Sequence, residues 1–468
     1  MTELWQMGAL ELARQIRSGQ ASSREVVEAH LARVDKVNSE LNAIVRLMPE
    51  EAMAAADAAD RAVTDGGALG PLHGVPCTVK ENIDLAGTPT TQGVVALADA
   101  IAPVDSPTVT RMRAAGAIPF ARTNLPDLGL RVHTDSQLHG LTRNPWNPDV
   151  TAGGSSGGEG SAIASGMSPI GLGNDIGGSL RSPAHCCGIA SIKPSSGVVP
   201  MATVVPPEDM MLSSQIMVVE GPMARRVADV RAGLKILAGP DVRDPRSLPV
   251  ELTDTTPMER LTIAVMPDPP AGATDPGIAS AILSVADRMH DAGHHVVEAT
   301  PPDYEQVIDL WQALLVADVR ANRELLDTVM GDGAKQLIAA FDEVAPPTAS
   351  PATELLHAER FRIQRAWSQF FVEHPVLLSP TWAQPAFAHG ADVDVNSGTE
   401  MMVDTIRPVV HANLLGLPAA VTPAGVSDGL PVGVQVIGDR FTDLRCLTVS
   451  HEIESLVGTL TPIDPVTS

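Results

Sequence analysis

The sequence predicts an α/β protein: one large domain in which helices cover both faces of a twisted, mixed β-sheet. Strand-like segments alternate with helical ones at 71–121 and again at 261–299, the order that builds parallel or mixed sheets. Hydrophobic residues make up 44% of the chain and charged residues 19%, the composition of a globular protein with a large core. No repeat, low-complexity run or long linker divides the 468 residues, although length alone allows about three domains of roughly 150 residues.

Taken in order, the first 65 residues read as a helical wrapper, 1–65. Ser22 and Glu25 form a capping box ahead of Val26, Val27, Leu31 and Val34, and Pro49 opens a second helix through Val63. The pattern turns strand-like from Pro71 to Val79 and again from Ala117 to Ala121, with a helical stretch containing Val109 and Met112 between them. Leu261–Val265 is a strand; Asp275 and Pro276 start a helix over Ile278–Met289, Gly293 stops it, and the chain returns as a strand over His295–Ala299. Residues 303–373 are helix-rich, with Leu310, Leu314, Leu315 and Val319 at helical spacing. Val376–Leu378 is a buried strand. Ala419–Val421 and Val432–Ile437 read as a hairpin about the turn Ser427-Asp428-Gly429, closed by a helix.

Composition excludes several functions. With 56 acidic against 32 basic residues the net charge is −24, so a basic face for nucleic acid is not expected. No apolar run approaches the roughly 18 residues that a membrane span needs. The N-terminus carries Glu3, Glu11, Arg14 and Arg17 where a secretory signal requires an unbroken apolar stretch. Cys77, Cys186, Cys187 and Cys446 are too few for a disulfide framework and form no CxxC pair, so buried thiols in a reducing cytoplasm are expected.

The chemistry concentrates between 151 and 200, a segment with twelve glycines and ten serines. Two clusters stand out: Gly153-Gly154-Ser155-Ser156-Gly157-Gly158-Glu159-Gly160 and Asp175-Ile176-Gly177-Gly178-Ser179-Leu180-Arg181-Ser182-Pro183. Neither is followed by the Lys-Ser/Thr of a phosphate loop. Residues 153–157 formally satisfy the GxSxG elbow of an α/β-hydrolase esterase, with Ser155 as nucleophile, but that elbow follows a strand, and Asn144-Pro145-Trp146-Asn147-Pro148-Asp149 reads as a loop. His133, His139, His185, His374, His389 and His411 have no evident catalytic partner and read as structural or surface residues. A serine without histidine needs another base, and a neutral lysine can serve. Lys80 ends the apolar segment Gly74-Val75-Pro76-Cys77-Thr78-Val79 in a chain with only five lysines. Burial could lower it from about 10.4 to about 7.5, a change of about 4 kcal/mol. Equally, Lys80 could form an ion pair with Glu81 or Asp84.

Three motifs resemble the amidase signature family: Gly-Val-Pro-x-x-x-Lys-Glu-Asn ending at Asn82, the Gly-Gly-Ser-Ser-Gly-Gly cluster, and Asp-Ile-Gly-Gly-Ser-x-Arg-x-Pro-Ala. The likeness runs from the helices near Leu41 to Gly416-Leu417-Pro418 and Pro431-Val432-Gly433-Val434-Gln435. It implies the amidase signature fold and a Ser-cisSer-Lys triad: Ser179 as nucleophile, Ser155 after a cis peptide as bridge, Lys80 as base. The backbone N–H groups of Ile176, Gly177, Gly178 and Ser179 become the oxyanion donors, aided by a helix opening at Ser182-Pro183. Asp175 and Arg181 brace the loop, and Asn174 stands where the family usually has Thr. Leu128-Gly129-Leu130-Arg131 resembles the stretch lining the acyl pocket, so Gly129, Leu130, Arg131 and Ser156 are expected at the substrate, with Arg131 either binding an anion or facing solvent. Residues 71–200 become the catalytic core and 303–405, including the loop Thr381–Met402, the pocket rim.

The implied function is hydrolysis of a carbon–nitrogen acyl bond, without metal or organic cofactor, through an acyl-enzyme on Ser179. Small-molecule amides, esters and carbamates (urethanes) are the expected substrates, and a homodimer is left open. The alternative within the family is an amidotransferase subunit that works with partner chains on a charged tRNA, and the −24 charge counts against it.

Overall fold

The computed structural model describes residues 3–205, 209–253, 260–344, 350–394 and 396–467. Eleven strands among them join in one sheet. In chain order these are β1 (Ile44–Leu47), β2 (Pro76–Lys80), β3 (Ile118–Thr123), β4 (Ile170–Asp175), β5 (Ala190–Lys193), β6 (Val219–Ala224), β7 (Thr262–Val265), β8 (His295–Glu298), β9 (Val376–Pro380), β10 (Ala419–Ser427) and β11 (Leu430–Ile437). Their spatial order is β1-β3-β2-β4-β6-β5-β10-β11-β9-β7-β8. β3, β2 and β4 run parallel, as do β9, β7 and β8; the other joins are antiparallel. The sheet is therefore mixed.

Alternation along the strands feeds two cores, because successive side chains leave a strand on opposite faces. Ile263 and Val265 enter one core and Ala264 the other; Val376 and Leu378 are likewise divided from Leu377. The first core is covered by helices contributing Leu12, Val109, Val230, Ile282 and Ile453, the second by helices contributing Ile163, Ala184, Leu310, Leu314 and Val410. Helices thus lie on both faces, and both cores take residues from early and late in the chain.

Local signals account for many boundaries. Ser22 Oγ accepts the Glu25 N–H at 3.1 Å while the Glu25 carboxylate accepts the Ser22 N–H at 2.7 Å, starting the helix Ser23–Leu41. Asp275 Oδ1 accepts the N–H groups of Gly277 and Ile278, with Pro276 in the first turn. The hairpin β10–β11 turns through Asp428 and Gly429, both with positive φ.

The N-terminal segment differs from the all-helical expectation. Asn42, left-handed at φ 49°, ends the first long helix, and Ile44-Val45-Arg46-Leu47 becomes edge strand β1 against β3. The β-branched pair Ile44-Val45 soon after the helix stop favours a strand, and β3 supplies its partner. The strand expected from Pro71 begins only at Pro76, after a turn in which Gly74 has φ +74°. No helix among the described residues is long and apolar enough to cross a membrane. All four cysteines are free and buried.

Candidate active site

β2 and β4 are parallel neighbours, so Lys80 and Asp175, their last residues, reach the same edge of the sheet. The segment 152–156 crosses that edge as irregular chain, not as a strand, and leads into the helix Gly157–Ala164, buried at every residue. A Cβ on Gly158 would lie 2.4 Å from the Asn124 backbone nitrogen. The glycine therefore lets the helix approach the sheet as a side chain could not. The approach to Ser155 has no strand, as the elbow argument expected.

Lys80 is fully buried, with Nζ 2.8 Å from Ser155 Oγ and 2.6 Å from Asn174 Oδ1. Burial pushes its pKa down to about 7, against the opposing charges of Asp175, Glu159 and Glu220. The ion-pair alternative is overturned: Glu81 accepts from Thr91 and contacts His139, while Asp84 accepts from Thr90 and the Val204 N–H. Asn174, the departure from the usual Thr, lies in direct contact with the amine. Its Nδ2 donates to Asn82 Oδ1 at 3.0 Å, which turns Oδ1 toward Lys80. An amide oxygen only accepts. It therefore takes one N–H of the amine, which reaches Ser155 Oγ with the other side of its nitrogen.

The peptide Gly154–Ser155 is cis. Ser155 and Ser179 are both buried, and among the described residues no hydrogen bond joins their hydroxyls. Such contacts often tighten only when substrate binds. No histidine among the described residues bonds to either serine. Instead, His133 meets Thr151, His185 accepts the Gly433 N–H and His411 bonds the Tyr304 carbonyl. Burial holds the three at about 3, 4 and 3 respectively, so they are neutral structural groups.

The loop after β4 is organised by Asp175. Arg181 grips its carboxylate through Nε and Nη2, each at 3.0 Å, and Asn413 Nδ2 adds a third side-chain donor at 2.8 Å. Burial raises the Asp175 pKa, but the Arg181 charge and these donors outweigh it and hold the group at about 2. The bracing roles expected of Asp175 and Arg181 fit this geometry. The Gly178 N–H donates to Asp175 Oδ1 at 2.7 Å. That commitment removes Gly178 from the donors free to meet an oxyanion and leaves Ile176, Gly177 and Ser179. Gly178 itself has φ +103°, and a Cβ there would lie 2.7 Å from Ser182 Oγ and Val409 Cγ2. The helix expected to open at Ser182 starts at Arg181.

Of the expected substrate contacts, Gly129 lies against the bridge serine: a Cβ there would fall 3.3 Å from Ser155 Oγ. Leu128 and Leu130 pack on an apolar cluster of Val319, Met330, Ala334 and Ile338. Arg131 departs from both expectations. It is buried and bound through Nε and Nη2 to the buried Asp392, each at 2.8 Å, because an unpaired guanidinium would be costly away from water. Ser156 Oγ is also buried and contacts the Asn174 carbonyl at 3.5 Å. Glu159, given no role from sequence, is buried beneath the site, where it accepts from Thr78 and Thr123. Burial raises it to about 7; a charged residue within a run of small buried ones was its only sequence signal. Among the described residues no group of three or more His, Cys, Asp or Glu side chains is placed to hold a metal ion.

Fold and site together define a serine-rich, lysine-containing hydrolytic centre on a mixed sheet. Residues 25–447 match the Amidase family, and the chain belongs to it. It is 40% identical to an indoleacetamide hydrolase of Bradyrhizobium diazoefficiens, over 98% of this chain and 88% of that protein. An acylamidase of Rhodococcus erythropolis is 33% identical, over 97% of both chains. A glutamyl-tRNA(Gln) amidotransferase subunit of Chloroflexus aurantiacus is 30% identical, over 97% of this chain and 98% of that one. The crystal structure of a bacterial aryl acylamidase of the amidase signature family superposes with a TM-score of 0.85 at 29% identity, covering 99% of this chain and 98% of the other. The chain is an amidohydrolase that cleaves carbon–nitrogen amide bonds, and the amidotransferase alternative has the weaker support.

Proposed function

We propose that Ser179 is the nucleophile, Ser155 the proton bridge and Lys80 the base in hydrolysis of small, uncharged amides with an aryl or alkyl acyl group. The observation that supports this most is the buried Lys80 amine, lowered to about 7 and 2.8 Å from Ser155 Oγ. As the Ser179 Oγ–carbon bond forms, its proton passes to Ser155 and the Ser155 proton to Lys80. The relay then runs back to the nitrogen as the carbon–nitrogen bond breaks, releasing the amine and leaving an ester on Ser179. Water activated by the same relay cleaves that ester to the carboxylic acid.

Two features support an apolar acyl group. Leu128 and Leu130 flank Gly129 beside Ser155 and join an apolar cluster, and Arg131 is already neutralised by Asp392. Indoleacetamide and aryl amides, named for the relatives, have this character. Esters and carbamates present a carbonyl to the same donors. The chain works as a cytoplasmic enzyme alone or as a homodimer, with the described residues of 303–405 forming the pocket rim. Assaying wild type and Ser179→Ala against indoleacetamide, anilides, carbamates and p-nitrophenyl esters tests the reading. Wild type should hydrolyse arylacetamides, and the variant should lose at least about 10³-fold in turnover. Retained turnover with a fluorophosphonate label on Ser155 would refute it.

A further inference from the structure

Trp311 lies outside the three sequence motifs, on the helix Tyr304–Ala321, and is only 4% exposed. Its indole Nε1 donates to the Ile176 carbonyl at 3.1 Å. The ring also lies against the next residue, since a Cβ on Gly177 would fall 2.7 Å from Trp311 Cζ2. In a trans peptide the carbonyl and the following N–H point in opposite directions. Holding the Ile176 carbonyl therefore fixes the direction of the Gly177 N–H, away from the indole. The next donor along, Gly178 N–H, is already bound to Asp175. Among the described residues the Gly177 and Ser179 N–H groups are committed to no other acceptor. The donor helix is itself anchored: Tyr304 stacks on His411 at 3.8 Å, and His411 bonds the Tyr304 carbonyl.

We propose that Trp311 is a positioning residue, whose hydrogen bond to the Ile176 carbonyl aims the Gly177 N–H at the acyl oxygen of the substrate. The inference rests on the assignment of Ser179 as nucleophile. Donation to the carbonyl also polarises the peptide, which strengthens its N–H as a donor. A purely structural role would be to satisfy a buried indole N–H, as buried tryptophans generally require. The two roles differ in what happens to an oxyanion.

The experiment replaces Trp311 with β-(3-benzothienyl)alanine, which keeps the bicyclic shape and carries sulfur in place of N–H, and in parallel with Phe. Loss of a whole oxyanion donor costs about 10²–10³-fold in kcat, so misaiming one should cost about tenfold. The benzothienyl variant should lose about that factor in kcat for both an anilide and a p-nitrophenyl ester, with KM within about twofold. An arylboronic acid, whose serine adduct places oxygen among the same donors, should bind weaker by a similar factor. The melting temperature should stay at the wild-type value. Trp311→Phe should show the same kcat loss, whatever it does to stability. Unchanged kcat and boronate affinity in the benzothienyl variant would overturn the inference alone. A wild-type fluorophosphonate label on any residue other than Ser179 would overturn both the inference and the assignment beneath it.

Discussion

Two lysines end strands of the same sheet, Lys80 at β2 and Lys193 at β5, and both are fully buried with pKa values pushed down to about 7. Their surroundings separate them. Lys80 faces Ser155 Oγ and Asn174 Oδ1 beside the Ser179 loop, whereas Lys193 donates to the Pro194 carbonyl at 2.8 Å, with Asp443 and Asp175 as the nearby acids. Desolvation makes an amine available as a base wherever it occurs. Of the two, only Lys80 has a serine hydroxyl within hydrogen-bond reach among the described residues.

Removing each amine should break the apparent likeness most sharply. Lys80→Met should lower anilide turnover by about 10³-fold, within the range usual for a general acid–base group. An activated ester should lose about 10²-fold less, because its leaving group departs without a proton. Lys193→Met should leave turnover of both substrates within about threefold, since the residue touches no reacting atom. Equal losses from the two lysine variants would erase the distinction.

A smaller effect sharpens the role of Asn174. Wild-type kcat/KM should rise with pH through an apparent pKa of about 7 and then level off as Lys80 loses its proton. Asn174→Asp sets a carboxylate against the ammonium form and should move that limb upward by about one unit or more. A profile that stays in place would show that Asn174 does not govern the amine.

The last expected effect is on stability and not on turnover. Lys193 has a folded-state pKa lowered to about 7 and an unfolded value near 10.4, so between these pH values the unfolded chain binds more protons at this site. Its contribution to stability therefore rises with pH across that window, with a slope of at most about 1.4 kcal/mol per pH unit. Urea unfolding at pH 7, 8.5 and 10 should show a flatter dependence for Lys193→Met than for wild type. An unaltered slope would mean that Lys193 is charged when folded.

The family resemblance singles out Lys80, Ser155 and Ser179 because each lies in a short continuous motif, whereas the residues alone leave Lys80 open between a base and an ion pair. Helix starts at Ser22, Pro49 and Asp275 were legible because a cap is local chemistry. Arg131 was misjudged because its partner Asp392 is 261 residues away. Trp311 gave no signal because its bond to Ile176 spans 135 residues. β1 was missed because a four-residue edge strand depends on the neighbour it meets, not on its own periodicity.

The Arg181 guanidinium also ties the loop bearing Ser179 to the last part of the chain. Besides Asp175 it binds the Val409 carbonyl, Asn413 Oδ1 and Gln435 Oε1, the last 254 residues further along the chain. A ribosome adds about 5–20 residues per second, so the loop bearing Ser179 would wait on the order of ten to fifty seconds after its own synthesis for these acceptors. A chain released before residue 435 would carry all three motifs and the Arg181–Asp175 pair, but Arg181 would lack Gln435 among its acceptors.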